Sequence, residues 1–181
     1  MTGDQTIASF VAALSARQPT PGGGASAAVT AAIACATAAM ACRYTTGDKW
    51  PSVSLEAEAL AQRLDTWCDD ALRFADADAA AFAALGHAKK TKDATVITAA
   101  ETAAAAVPAG LIALCGIAAE ACHFFRPRCN PWLVSDIDTA LHLLAGAGRA
   151  ARRTLLVNQP SEALINKANR TISALSAAEP A

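Results

Sequence analysis

Eighteen consecutive residues, Ala25 to Cys42, carry no charged side chain and include ten alanines; directly ahead of them stands Pro19-Thr-Pro-Gly-Gly-Gly24. A helix lying on a protein surface needs a polar face. This run has only Ser26, Thr30 and Thr37, each able to bond back to its own backbone. The run therefore predicts a helix surrounded on all sides. Its length would suit a membrane span, but Val29, Ile33 and Met40 are its only large apolar residues, so insertion would gain little. Small side chains let neighbouring helices approach closely, which points instead to the central helix of a bundle. The two prolines end any preceding helix, since each lacks an amide donor and biases the residue before it out of the helical region. The glycines then let a ligand approach the backbone beside the unsatisfied N–H groups of a helix start, a combination that favours an anionic or acceptor-rich ligand.

At 181 residues the chain can bury a sizeable core, and no composition break divides it, so one domain over residues 1–181 is expected. A net charge of -1 excludes a general attraction to nucleic acid or to acidic membrane surfaces. Six cysteines occur without a C-x-x-C pair, which reads as reduced core thiols and no metal site. With reduced thiols and no signal-type start, the cytoplasm is the expected compartment.

Periodicity predicts helices and no strands, hence an all-α multi-helix bundle with a buried, alanine-rich central helix. A first helix over about residues 5–17 has an apolar stripe of Ile7, Phe10, Val11 and Leu14. A loop at residues 43–51 carries Lys49 and Trp50 at its tip. A long helix from about Ser52 to Leu85 has the stripe Leu60, Leu64, Trp67, Ala71, Phe74, Asp78, Ala81, Leu85, in steps of three and four. Asp78 thus points inward, where a carboxylate must be hydrogen-bonded or engaged with a ligand. Glu56, Glu58, Asp65, Asp69, Asp70 and Asp76 fall off the stripe and read as a solvated face.

Residues 86–93 read as a basic loop with Asp93 capping the next helix, Ala94 to Phe125, which Pro108 interrupts and near whose end His123 reads as a packing residue. Residues 126–135 read as an extended connection. Ser135 and Asp138 have the spacing of a capping box for a helix ending near Asn158, with Asp136 in its first turn. A last helix is expected over Ser161 to Ala178.

The proline-glycine loop ahead of the alanine helix, Asp78-Ala-Ala-Ala-Phe82, Asn130 followed by Ser135-Asp136, and Asn158 at a helix end stand in this order through most of the chain. In these features it resembles the formiminotetrahydrofolate cyclodeaminase and methenyltetrahydrofolate cyclohydrolase family. The resemblance implies a helical bundle, a homodimer, and a tetrahydrofolate one-carbon derivative as substrate, with no further cofactor. Members either expel ammonia from a formimino adduct while closing the methenyl ring, or hydrolyse that ring to formyltetrahydrofolate.

Carried onto this chain, the resemblance places Asp136, Asp78 and Asn130 in catalysis, and Pro21, Gly22, Gly23, Gly24, Lys49, Ser135 and Asn158 in substrate binding. A carboxylate would stabilise the methenyl cation and direct water to it, with Asn130 orienting the adduct. Hydrolysis is expected ahead of ammonia release, because no formiminotransferase domain accompanies the chain. A folate- or pterin-binding or assembly protein without turnover is the alternative, motivated by departures at Asp48-Lys49, Cys129, Trp132 and Thr154-Leu155. For the anionic folate tail, Lys49, expected near the glycine loop, ranks ahead of Lys89, Lys90, Lys92, Arg126 and Arg128.

Overall fold

A computed structural model describes residues 1–180 and shows six α-helices with no strand among them: α1 (Ile7–Ser15), α2 (Gly23–Arg43), α3 (Ser54–Thr91), α4 (Ala94–Phe125), α5 (Val134–Val157) and α6 (Glu162–Ala178). The all-α expectation holds. Helix α2 lies between α3 and α5, with α4 completing the bundle and α6 closing its far side against α4 and α5. Twelve of the 21 residues of α2 are buried, eleven of them alanine or cysteine with Gly24 at the start. One core gathers these with Leu60 and Leu64 of α3, Leu111 and Ile112 of α4, and Leu141, Leu144 and Leu155 of α5.

The central helix is not surrounded, however. Ile33 is 51 % exposed and Met40 37 %, and Ala36 between them is also exposed, so one apolar strip of α2 faces outward. Three neighbouring helices cover three sides of α2, and no element among the described residues covers the fourth. Helix α1 is shorter than expected and touches the bundle mainly through Phe10, leaving Ile7 and Val11 exposed. The turn before it is fixed to α3 by the Thr2 amide and hydroxyl, which both donate to Asp76 Oδ1, at 2.8 and 2.6 Å.

Residues 86–91 are not a loop. Helix α3 runs through Gly86 to Thr91 before Lys92 turns the chain with a positive φ of 58°. The segment is otherwise rich in alanine and lysine, both good helix formers, so a single glycine at Gly86 does not end the helix before Lys92, and charge alone does not end one. Asp93 caps α4 as expected, accepting from the Thr95 N–H at 2.8 Å. With 38 residues α3 outruns α2 by 17, so its last turns and the start of α4 form an arm beyond the end of α2, about 20 Å long from Asp78 onward.

Two further expectations change. The connection 126–133 is two short 3-10 turns rather than extended chain. Helix α5 starts at Val134 behind Leu133, so Ser135 lies inside it and caps nothing; Asp138 instead binds Arg126. The capping-box spacing matched only because the Arg126 partner was invisible in the local pattern.

Candidate active site

The N-terminus of α2 meets α3 at one acid. Gly24 lies so close to Asp78 that a β-carbon there would sit 2.1 Å from Oδ1 and 2.4 Å from Cγ. Only glycine leaves room for this carboxylate against the helix start. Burial pushes the Asp78 carboxyl up from its ordinary range, and the Ala25 N–H, donating to it, opposes that rise. The inward acid of the α3 stripe is thus a cap on α2 with its proton held more tightly than usual. Pro21 and Gly22 lead into this corner, Gly22 serving as N-cap without a side chain of its own. Gly23 faces Thr154 of α5, whose Cγ2 would lie 3.7 Å from an added β-carbon. Asn158, at the end of α5, donates through Nδ2 to the carbonyls of Thr154 and Ala104, at 3.2 and 3.4 Å. Glycine loop, Asp78 and Asn158 therefore share one end of the bundle, where the α3 arm rises past them to form a corner.

The other candidates lie at the opposite end of α2. Thr45, fully buried, donates its hydroxyl to Ala41 O at 2.8 Å and accepts from the Asn130 N–H at 3.1 Å. Asn130 donates through Nδ2 to Tyr44 O at 3.3 Å, and its Oδ1 accepts from the Trp132 N–H at 3.1 Å. The asparagine is thus pinned by the end of α2. Ser135 and Asp136 follow in the first turn of α5; Asp136 is half-buried and joins none of the ion pairs among the described residues. It lies close enough to Cys129 to raise that thiol, whose burial is the larger cause. Thr45 is the residue sequence reasoning missed. A threonine behind a helix end is an unremarkable surface pattern, and only tertiary contact shows that it is buried.

Lys49 stands exposed on this second end, not beside the glycine loop where it was expected. From Gly23 to Arg43 α2 spans 21 residues, about 30 Å. Lys49 follows α2 in sequence and so lies beyond the far end of that climb.

Arg126 and Arg128 are committed: Arg126 to Asp138 at 2.5 and 2.8 Å, holding that carboxyl below its usual range, and Arg128 to Glu56 at 2.6 Å while stacking over Phe124. Lys89, Lys90 and Lys92 sit at the tip of the α3 arm, at the glycine-loop end. Among the described residues no group of three or more His, Cys, Asp or Glu could hold a metal ion. A groove of about 740 Å³ opens between α4 and α6 past Gly116, Glu120, His123, Lys167 and Arg170. His123 is exposed there rather than packed. Of the residues singled out above only His123 lines this groove, and none of the catalytic or substrate-binding candidates does.

Residues 6–171 match the formiminotransferase-cyclodeaminase family. The chain belongs to that family. The matched span includes both candidate clusters, from the glycine loop to Asn158. A solved structure of formiminotetrahydrofolate cyclodeaminase from Thermotoga maritima shares the fold with a TM-score of 0.93 at 22 % identity, over 99 % of this chain and 94 % of that one. No curated protein sequence matches the chain. Fold likeness at this identity shows that the helical frame is shared. The corner at Gly24 and Asp78 is a property of this chain's own residues.

Proposed function

We propose that this protein is an enzyme of reduced-folate metabolism that acts on the carbon bridging N5 and N10, hydrolysing methenyltetrahydrofolate to formyltetrahydrofolate. The observation that carries the reading is Asp78: a half-buried carboxyl with a raised pKa, seated against Gly24 at the start of α2, in a member of this family. The methenyl bridge is a delocalised cation. A carboxylate beside it stabilises that charge and takes one proton of an attacking water as the water oxygen bonds to the bridge carbon; the hydroxyl proton of the adduct then passes to the ring nitrogen whose bond to that carbon breaks, leaving the formyl group. The helix start, exposed at Gly23, suits a carbonyl or nitrogen acceptor of a pterin. On this reading Asp136 and Asn130, at the other end of α2, serve the same substrate from the second copy of a homodimer, as does Lys49 for its glutamate tail, while the arm lysines lie at the same end as Asp78.

A second reading is ammonia release from formiminotetrahydrofolate, favoured by the names of the family and of the solved relative. There N10 attacks the formimino carbon, loses its proton to a base, and the amine leaves as it gains one. Parallel assays of the purified protein on both substrates decide between them, one following loss of methenyl absorbance and the other its appearance with ammonia. Turnover of neither would leave folate binding without chemistry, read as thermal stabilisation by the ligand. The protein acts, on this reading, as a homodimer in the cytoplasm, and the open strip of α2 supports the dimer.

A further inference from the structure

Two exposed aromatic residues are bonded to one fixed amide. Tyr44, directly behind α2, is 66 % exposed, and Trp132, in the short turn ahead of α5, is 90 % exposed. Apolar side chains scattered singly on a surface need no explanation, but these two share a partner. Asn130 donates through Nδ2 to Tyr44 O at 3.3 Å and accepts at Oδ1 from the Trp132 N–H at 3.1 Å. Among the described residues Arg63 lies over Trp67 and Arg128 over Phe124, whereas no cation covers Tyr44 or Trp132. The backbone beneath them is held from several sides. Thr45, the one buried polar residue among those described, donates to Ala41 O at 2.8 Å and accepts from the Asn130 N–H at 3.1 Å. Pro131 opens the turn, the Leu133 N–H donates to Asn130 O at 2.8 Å, and Leu133 and Val134 pack on the core. A rigid turn thus displays the indole, and covering it orders no further backbone. The chain departs from the family pattern at Trp132, so this ring is a feature of the chain itself.

We infer that Tyr44, Asn130 and Trp132 form a stacking station for a flat ring that carries an amide group, the two aromatic side chains packing on the ring and Asn130 selecting the amide. An asparagine amide has two N–H donors and two oxygen lone pairs, and the bonds to Tyr44 and Trp132 leave one of each for a ligand. Stacking tolerates any flat ring, because every such ring has a π-face, so the hydrogen bonds of Asn130 supply the selection. An apolar protein surface laid over the two rings would leave that donor and acceptor unmatched; a ring bearing a carbonyl and an N–H satisfies both. The inference rests on the folate reading above and deepens it. A reduced folate offers the required chemistry twice, in the pyrimidine half of its pterin, with a carbonyl beside an N–H, and in its aminobenzoyl ring with the amide that leads to the tail. All three residues of the station are uncharged, so its share of the affinity is independent of salt, unlike that of the lysines.

Acrylamide quenching of tryptophan fluorescence tests the station directly, because Trp50 and Trp67 are half-buried and Trp132 is the exposed indole. The probes are 5-formyltetrahydrofolate, pterin-6-carboxylate, which holds only the bicyclic ring, and 4-aminobenzoylglutamate, which holds only the benzoyl amide and the tail. At saturation 5-formyltetrahydrofolate should shield the readily quenched fraction, and the fragment that reproduces the shielding identifies the ring that is bound. Trp132→Phe should lack that fraction from the outset. By titration calorimetry Trp132→Leu and Tyr44→Leu should each weaken binding of 5-formyltetrahydrofolate about tenfold, and Trp132→Phe about threefold or less, with the losses unchanged by salt. Unfolding midpoints should stay close to wild type, since both side chains are exposed. In the turnover assays the loss should fall on KM at nearly constant kcat, the signature of a contact made equally in ground and transition states. No shielding by any of the three probes would overturn the station whatever the turnover. Turnover with KM unchanged in Trp132→Leu would overturn it too, and would leave the folate reading standing. Shielding of Trp132 without turnover of either substrate would sink the catalytic reading and keep the station. A Trp132 already protected in the ligand-free protein, with Trp132→Leu sedimenting as a smaller species, would assign the rings to a contact between proteins and refute the ligand site.

Discussion

Replacing Gly24 by alanine tests why a glycine stands at the second residue of the most buried helix. Its φ is not among the positive ones, so backbone strain plays no part. By propensity alone the change should stabilise the helix by about 0.5–1 kcal/mol. Against this, the new β-carbon would lie 2.1 Å from Asp78 Oδ1 and 2.7 Å from Oδ2, so the carboxylate must swing away and lose the Ala25 N–H. A hydrogen bond to a charged group contributes about 1.5–3 kcal/mol, so the net loss is about 1–2 kcal/mol. For a chain of 181 residues that lowers Tm by roughly 2–8 °C. In an Asp78→Ala background the obstacle is absent, and Gly24→Ala should instead raise stability by about 0.5–1 kcal/mol. Thermal and urea unfolding of the four proteins measures the cycle. Equal losses in both backgrounds would refute the argument that Asp78 is what requires the glycine.

The remaining predictions concern titration, thiols, packing and the tail. Because burial raises the Asp78 pKa from 3.8, its contribution to stability is complete below that value and is lost as pH rises through the folded pKa; Asp78→Asn should therefore gain on wild type as the solution moves from acid to neutral pH. Asp138 has the opposite sign, its pKa lowered by Arg126, so Asp138→Asn should remove stability at neutral pH and flatten the acid limb of the unfolding curve. Burial pushes Cys35, Cys42 and Cys115 up to about 12, so a thiol reagent at pH 8 should leave these three unmodified in the native protein, while all six cysteines react after unfolding; rapid native reaction of the three would contradict the packing. Gly148→Ala places a β-carbon 2.6 Å from Leu175 Cδ1 and 3.3 Å from Ile172 Cδ1, an overpacking worth about 1–3 kcal/mol, read as a lowered urea midpoint. Lys49→Ala should raise KM about tenfold at low salt with the loss shrinking as salt is added, and an unchanged KM would place the folate tail elsewhere.

What the sequence determined by itself is the frame. Helix α4 was legible to its terminal residues, because Asp93 is a local cap and Phe125 precedes Arg126-Pro127, and both signals lie within a turn of what they control. The inward turn of Asp78 followed from period alone, since a residue in phase with Leu60, Leu64 and Ala71 must face the same way. Tertiary structure decided what those residues meet. That Asp78 requires Gly24, that Thr45 is buried under Asn130, and that Asp138 belongs to Arg126 rather than to a helix cap are contacts across separations of 54, 85 and 12 residues, and no local pattern encodes them. The same limit explains α2. Composition showed that it could not face water, and from that it was expected to be enclosed by its own chain. The fold instead leaves Ile33, Ala36 and Met40 open, because the absence of a polar face requires cover without saying which molecule supplies it.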